Sequence, residues 1–321
     1  MADHWPLKAD RVNLAGQPMP CEANPPSLKR MGLIPMRLLT VQTDRGPRSC
    51  VEHQGRYVDL QAADPSLPAS VRPLLALGDE GLQRAAEALS RARETYDPAS
   101  TPLLAPIPDP RKVICLGLNY RDHAIETGAK IPEEPVIFNK FPSAVVGPGA
   151  EVLLPEISQE VDFEAELVAV IGRGGRDIPQ AEAMAAIAGY TVGHDVSARD
   201  WQLRKPGGQW LAGKSFDTFA PIGPALVTAD EVADPHDLGI RLRLNGETMQ
   251  DSRTSQFIFR LDAVVSYLSR IFTLEPGDLI FNGTPPGVGM ARKPPVWLKP
   301  GDVVEVEIDG LGLLSNPMIR R

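Results

Sequence analysis

The sequence predicts a mainly β protein of the α+β class, and two observations predict it. Downstream of Lys112 the apolar runs VICLGL, EVLLP, VDFEAELVAVIG, YTVGHDV, IRLRLNG, DLIFNG and DVVEVEI are short, β-rich and bounded by Gly, Pro or Asn, the pattern of strands separated by turns. Helical patterns interrupt the strand-like runs in three places, at residues 81–94, 180–188 and 261–272. With 321 residues, 43% of them hydrophobic, the chain has enough apolar surface to build a core.

Taken in order, residues 1–35 carry many prolines and polar groups and lack the apolar core of a secretory signal. Asp3, Asp10 and Glu22 also argue against an acid-poor presequence, so a disordered leader is expected. Residues 36–97 read as a small N-terminal α+β domain. MRLLTV and RYVDL are its strands, a turn-rich stretch around Gly46, Pro47 and Gly55 separates them, and Leu82, Ala86 and Leu89 mark the helix that closes the unit. Residues 98–111 form a stiff linker, because Pro98, Pro102, Pro106, Pro108 and Pro110 suit neither helix nor central strand. Residues 112–321 form the larger domain. Within it Val264, Val265, Leu268 and Phe272 share one helical stripe, and EPGD and KPGD each place Pro-Gly for a type II turn leading into a strand.

Composition excludes several functions. A formal charge of -8, from 33 basic and 41 acidic residues without a long basic run, gives no footprint for nucleic acid. No segment approaches the roughly 20 apolar residues of a membrane span. Cys21, Cys50 and Cys115 are odd in number and far apart, which suits neither a disulfide framework nor a cysteine zinc site. A reducing compartment is expected: the cytoplasm or, in a eukaryote, the mitochondrial matrix.

Three constellations can carry chemistry. In the run Asp162 to Gly172, strand alternation points Glu164 and Glu166 the same way, with Val168 and Val170 continuing that face towards the interior. An isolated Glu-x-Glu is ordinarily a solvated face, but two carboxylates on a partly buried face repel unless a cation or a proton intervenes. Asp195 ends another strand-like run, and three carboxylates without cysteine make a hard, all-oxygen site for magnesium, manganese or calcium. His194 points to the opposite face and is excluded from the metal set. Next, His123 and Glu126 stand three apart, adjacent on a helical turn, where a carboxylate beside an imidazole makes a general base. An exposed polar turn is the ordinary alternative. Finally, Lys214 sits among small and apolar neighbours in QWLAGKSF, where it can stabilise an enolate or oxyanion, unless its head snorkels to water. The loop Gly283–Gly289 offers amides and a hydroxyl to an anion but lacks the Gly-Lys-Ser or Gly-Lys-Thr of a phosphate loop.

The ordered set Gly-x-Asn-Tyr, His-x-x-Glu, Glu-x-Glu, Asp-Val-Ser-Ala-Arg-Asp-x-Gln, Gly-Lys-Ser-Phe and Gly-Thr-Pro resembles the fumarylacetoacetate hydrolase superfamily from Lys112 to about Asn316. HDVSARDWQ, FDTF, GPALVT, VADPH and GTPPGVG resemble its oxaloacetate tautomerase-like members. The resemblance implies a β-sandwich roll, a homodimer, and magnesium held by Glu164, Glu166 and Asp195. It also implies that His123 and Glu126 act from a mobile lid, that Lys214 steadies developing negative charge, and that Tyr120, Gln202 and Thr284 contact substrate. The expected enzyme polarises a small 2-oxo acid and passes through its enolate. Enol–keto tautomerisation of oxaloacetate is the leading reaction. Hydrolysis of an acylpyruvate or fumarylacetoacetate and decarboxylation of oxaloacetate share that enolate and stay open, and a non-catalytic ligand-binding or assembly protein on the same fold is the remote alternative.

Overall fold

Strand pairing organises the protein into a large mixed sheet, a five-stranded sheet and a two-stranded ribbon. The structure is a computed structural model in which residues 35–320 are described, all within the unit Gly32–Arg321. The leader expected over residues 1–35 lies almost entirely outside the described residues. The large sheet runs in the order Thr95–Tyr96, Arg56–Asp59, Gly46–His53, Arg37–Thr43, Ala220–Thr228, Ile187–His194, Ala165–Ile171, Leu279–Phe281, Val113–Gly117 and Val136–Lys140. The smaller sheet is ordered Glu247–Arg253, Gly239–Leu244, Val303–Ile308, Gly312–Arg320 and Val152–Leu154. The fold is mainly β, in the α+β class.

Every residue of Ala165–Ile171 is buried, on both faces. A strand covered on both sides reads as a continuous apolar run rather than an alternation, which is why Glu166 within it and Glu164 just before it stand out. The segment 36–97 joins the same sheet: Arg37 and Leu38 pair with Val227 and Leu226. The proline-rich stretch 98–111 contributes Leu103 and Leu104, which pair with Val41 and Thr40.

The central strand Ala220–Thr228 has no clear sequence signature, because Pro221, Gly223 and Pro224 argue against a strand interior. The sheet accommodates them by a register shift against the neighbouring strand between Tyr190 and Val192. The helical pattern at 180–188 resolves into a short α-helix, Gln180–Ala183, and a 3-10 turn, Met184–Ala186, before the chain becomes a strand at Ile187. The pattern at 261–272 forms the helix Leu261–Ile271, which buries Leu261, Val264, Val265 and Leu268. At the other predicted helix, Gly78–Leu89 buries Leu82, Ala85 and Ala88.

Candidate active site and metal centre

The site begins where two central strands end. Ala165 pairs with His194 and Glu166 with Gly193, and one residue further on the Asp195 N–H donates to the Glu164 carbonyl at 2.9 Å. Antiparallel pairing thus sets Glu164 opposite Asp195, while the two-residue period brings Glu166 to the same face. One oxygen from each of the three carboxylates lies within 4.8 Å of the others, and all three residues are buried. His194 lies outside this cluster. Its burial and the nearby Lys140 charge depress its pKa to about 3.

Four carboxylates and three cations meet here. Lys214 Nζ donates to Glu164 Oε2 at 2.7 Å and to Asp195 Oδ2 at 2.8 Å. Arg199 bridges Asp162 at 2.8 Å and Glu164 at 2.5 Å, and Lys140 Nζ lies 2.6 Å from Asp195 Oδ1. Burial alone would discharge Glu164, but Arg199 and Lys214 outweigh it and hold its pKa below the usual range. Burial also works against the Lys214 charge, and Asp195 and Glu164 overcome it. At Glu166 burial and the neighbouring Asp195 and Glu164 charges outweigh the Lys214 charge and the Gly283 N–H, which donates at 2.8 Å, and its pKa is pushed well up. Glu166 is therefore the carboxyl group of the cluster whose negative charge is least compensated by the chain itself. Oxygens spaced this closely and in this electrostatic state fit a hard divalent cation, whose ligands sit about 2.0–2.6 Å away.

Lys214 reaches the site because the short helices Arg199–Arg204 and Trp210–Lys214 approach closely. A Cβ on Gly213 would lie 2.5 Å from the Gln202 nitrogen, so glycine is required at the crossing. The same crossing places Gln202, whose Oε1 accepts from Arg199 at 2.9 Å. Tyr120 is fully buried with its ring edge-on to Phe257 at 4.9 Å, and its hydroxyl finds no hydrogen-bond partner among the described residues. Burial first, then the Glu166 charge, raises its pKa.

His123 and Glu126 lie on the helix Arg121–Thr127, with His123 Nδ1 2.9 Å from Glu126 Oε2. The other Glu126 oxygen accepts from the Gly287 N–H at 2.8 Å. Three amides of the 283–289 loop thus go to carboxylates of the chain itself: Gly283 to Glu166, Gly287 to Glu126, and Gly289 to Asp162 at 2.6 Å. This corrects the anion-loop expectation for those amides, since internal carboxylates reach them. The Thr284 hydroxyl accepts from Gln250 at 2.9 Å and keeps its own hydrogen to donate.

Periodicity gave no sign of Lys140, Asp162 or Gln250. Lys140 ends the strand Val136–Lys140 and spends its ammonium on the carbonyls of Val196, Lys214 and Phe219 at 2.9, 2.6 and 2.6 Å. A lysine closing an apolar strand, as in VIFNK, is the one local hint it offered.

Residues 112–319 match the family described as fumarylacetoacetate (FAA) hydrolase, C-terminal. The chain is 52% identical over 288 residues to the mitochondrial oxaloacetate tautomerase of Xenopus laevis, an alignment spanning 88% of this chain and 90% of that protein. To a mitochondrial oxaloacetate tautomerase of Homo sapiens it is 50% identical over 265 residues, 83% of this chain and 84% of the relative. Among solved structures, fumarylacetoacetate hydrolase from Exiguobacterium antarcticum superposes with a TM-score of 0.78 at 36% identity, covering 89% of this chain and 100% of that one. The 2-hydroxyhepta-2,4-diene-1,7-dioate isomerase of Mycobacterium marinum gives 0.70 at 35% identity, covering 89% and 99%. The family match over residues 112–319 and the identity to these relatives make one case: the chain belongs to the fumarylacetoacetate hydrolase family.

Proposed function

We propose that this enzyme interconverts enol and keto oxaloacetate at a magnesium site formed by Glu164, Glu166 and Asp195. The observation that carries the reading is the buried three-carboxylate cluster with the Lys214 ammonium between two of its members. A bound magnesium ion supplies Lewis acidity to the carboxylate and 2-oxo group of the substrate; manganese or calcium would meet the same oxygen donors.

The chain's own residues supply the rest. Lys214 carries three N–H bonds, and its contacts with Glu164 and Asp195 use two. The third is available to an oxygen that gains negative charge as C3 loses its proton. Since two carboxylates keep Lys214 charged, it serves as an electrophile rather than a base. His123, oriented through Nδ1 by Glu126, presents Nε2 for moving the proton at C3. Tyr120, Gln202 and Thr284 offer a hydroxyl, an amide and a hydroxyl to the substrate's polar ends. Tautomerisation moves one proton between the 2-oxygen and C3 and breaks no C–C bond; decarboxylation breaks a C–C bond but leaves the same kind of enolate, so slow decarboxylation is the side reaction these groups would support.

The names of the relatives favour oxaloacetate over an acylpyruvate, and mitochondria over the cytoplasm. Among the described residues no helix is long and apolar enough to cross a membrane. A homodimer is proposed with this reading, to be checked by analytical ultracentrifugation. The catalytic test follows loss of enol absorbance in dilute buffer with the spontaneous rate subtracted, with and without chelator, beside acylpyruvate cleavage and oxaloacetate decarboxylation. Magnesium-dependent enol loss is the expected result. Efficient acylpyruvate cleavage without it would replace the tautomerase by a hydrolase.

A further inference from the structure

The edge strand Glu247–Arg253 of the smaller sheet is hydrogen-bonded to three segments of the site: the Glu164–Glu166 stretch, the 283–289 loop and the helix that bears His123. Its pairing with Gly239–Leu244 slips at one point: Gln250 faces Leu242 and Thr248 faces Arg243, leaving Met249 as an extra, unpaired residue. Such a bulge bends a strand and re-aims the side chains beside it. Here it releases the Met249 carbonyl, which accepts from Arg292 at 2.6 Å, while Arg292 Nε donates to the Gly287 carbonyl at 3.2 Å. Gly287 has φ +102°, and a Cβ there would lie 2.1 Å from the Met249 oxygen, so only glycine fits. Two residues beyond Gln250, Ser252 Oγ lies 2.6 Å from Asp122 Oδ2 on the helix that bears His123.

Gln250 is 1% exposed and fully committed. Its Oε1 accepts from the Ala165 N–H at 2.8 Å, and Ala165 lies between Glu164 and Glu166. Its Nε2 donates to Thr284 Oγ1 at 2.9 Å and to the Pro285 carbonyl at 2.7 Å. The amide cannot be turned around, since that would set an NH2 group against the Ala165 N–H and an oxygen against the Pro285 carbonyl. By taking the Thr284 lone pair, Gln250 also directs the Thr284 hydrogen away from itself.

We propose that Gln250 is a positioning residue that sets the distance between the Glu164/Glu166 strand and Thr284 and turns the Thr284 hydroxyl towards substrate. The inference rests on the function proposed above, in which those glutamates hold the cation and Thr284 faces the 2-oxo acid. Gln250→Glu preserves the acceptor for Ala165 but replaces the NH2 donor by an oxygen. The Thr284 hydroxyl then donates to the introduced carboxylate instead of to substrate.

The test is a double-mutant cycle on the full chain with oxaloacetate as substrate, using Gln250→Glu, Thr284→Val and the pair, together with magnesium titration by calorimetry. Gln250→Glu should raise KM about ten-fold, the scale of one lost hydrogen bond, and leave magnesium affinity within about two-fold because the Ala165 bond persists. In the Thr284→Val background the Gln250→Glu effect on KM should vanish, since coupled residues are not additive. Gln250→Met, of similar volume and uncharged, covers the case in which the buried carboxylate prevents folding. It should raise KM similarly and also weaken magnesium binding, because Ala165 loses its acceptor. Fully additive effects, or a lowered melting temperature with KM unchanged, would reduce Gln250 to a structural residue. Glu164→Gln separates this failure from that of the underlying reading. If Glu164→Gln leaves magnesium affinity intact, the metal site itself is wrong. If it abolishes binding while the cycle is additive, only the role of Gln250 falls.

Discussion

Lys140 Nζ lies 2.6 Å from Asp195 Oδ1, with both side chains wholly buried. Three backbone carbonyls complete the lysine's hydrogen bonding. Replacing Lys140 by methionine removes the cation and leaves a buried carboxylate facing the others, a loss of about 3–5 kcal/mol when one partner of a buried pair is deleted. Urea denaturation should register that loss, and added magnesium should recover part of it by supplying replacement charge. An unchanged midpoint would mean that Lys214 alone satisfies Asp195.

Glu164→Ala should abolish magnesium binding. The variant removes one of the three proposed ligands and also leaves Arg199 and Lys214 in the cluster with one carboxylate fewer. Calorimetry gives the answer independently of turnover, and an unaltered affinity would take Glu164 out of the metal site.

His123→Ala should lower turnover about 10²- to 10⁴-fold, the range for a positioned acid or base, without weakening magnesium binding. Glu126→Gln should cost less than Glu126→Ala, because glutamine keeps an acceptor for the Gly287 N–H. Equal losses in the two Glu126 variants would show that the charge beside His123 matters and the Gly287 contact does not.

Tyr120→Phe should leave stability unchanged or raise it by about 1 kcal/mol, since a buried hydroxyl without a partner is costly. Its KM for the 2-oxo acid should nevertheless rise severalfold. A stability loss of similar size would instead reveal an internal partner for the hydroxyl.

The Asp59 side chain, fully buried, ties the strand Arg56–Asp59 to its surroundings by accepting from Arg48 at 2.9 Å, Tyr96 at 2.8 Å and the Ala62 N–H at 3.0 Å. Burial alone would raise its pKa, but the Ala62 N–H, Arg48 and Tyr96 together outweigh burial and hold it below the ordinary value. A depressed carboxylate stabilises the fold above the unfolded pKa, about 3.9, and that contribution disappears as pH falls through the lower folded value. Asp59→Asn should therefore be less stable than the parent by about 1–3 kcal/mol at pH 7. Below about pH 4 the gap should close. Urea midpoints measured from neutral to acidic pH check it, and a gap that persists at the acid end would assign the loss to packing.

The elements most legible in the sequence were those whose signal is local. Val264, Val265 and Leu268 repeat at helical spacing and are buried on one helix, and Glu164 and Glu166, two apart beside a strand, come to one face with Asp195. Periodicity failed where a neighbour overrode propensity. Ala220–Thr228 is a central strand despite its prolines, because a register shift in the adjoining pair absorbs them. At Met249 a bulge that no composition marks turns Gln250 towards Ala165, 85 positions away in the chain.

The sequence by itself determined the mainly β class, the motifs of the family and the carboxylates that could share a face, since alternation and turn chemistry are properties of neighbouring residues. The tertiary structure alone decided that Lys140 neutralises Asp195, that Arg199 spans Asp162 and Glu164, and that the amides of the 283–289 loop serve internal carboxylates. Each of these depends on which strands lie side by side. Buried charges and amides must find partners wherever the sheet order brings them, and that order is a property of the whole chain's packing rather than of any segment.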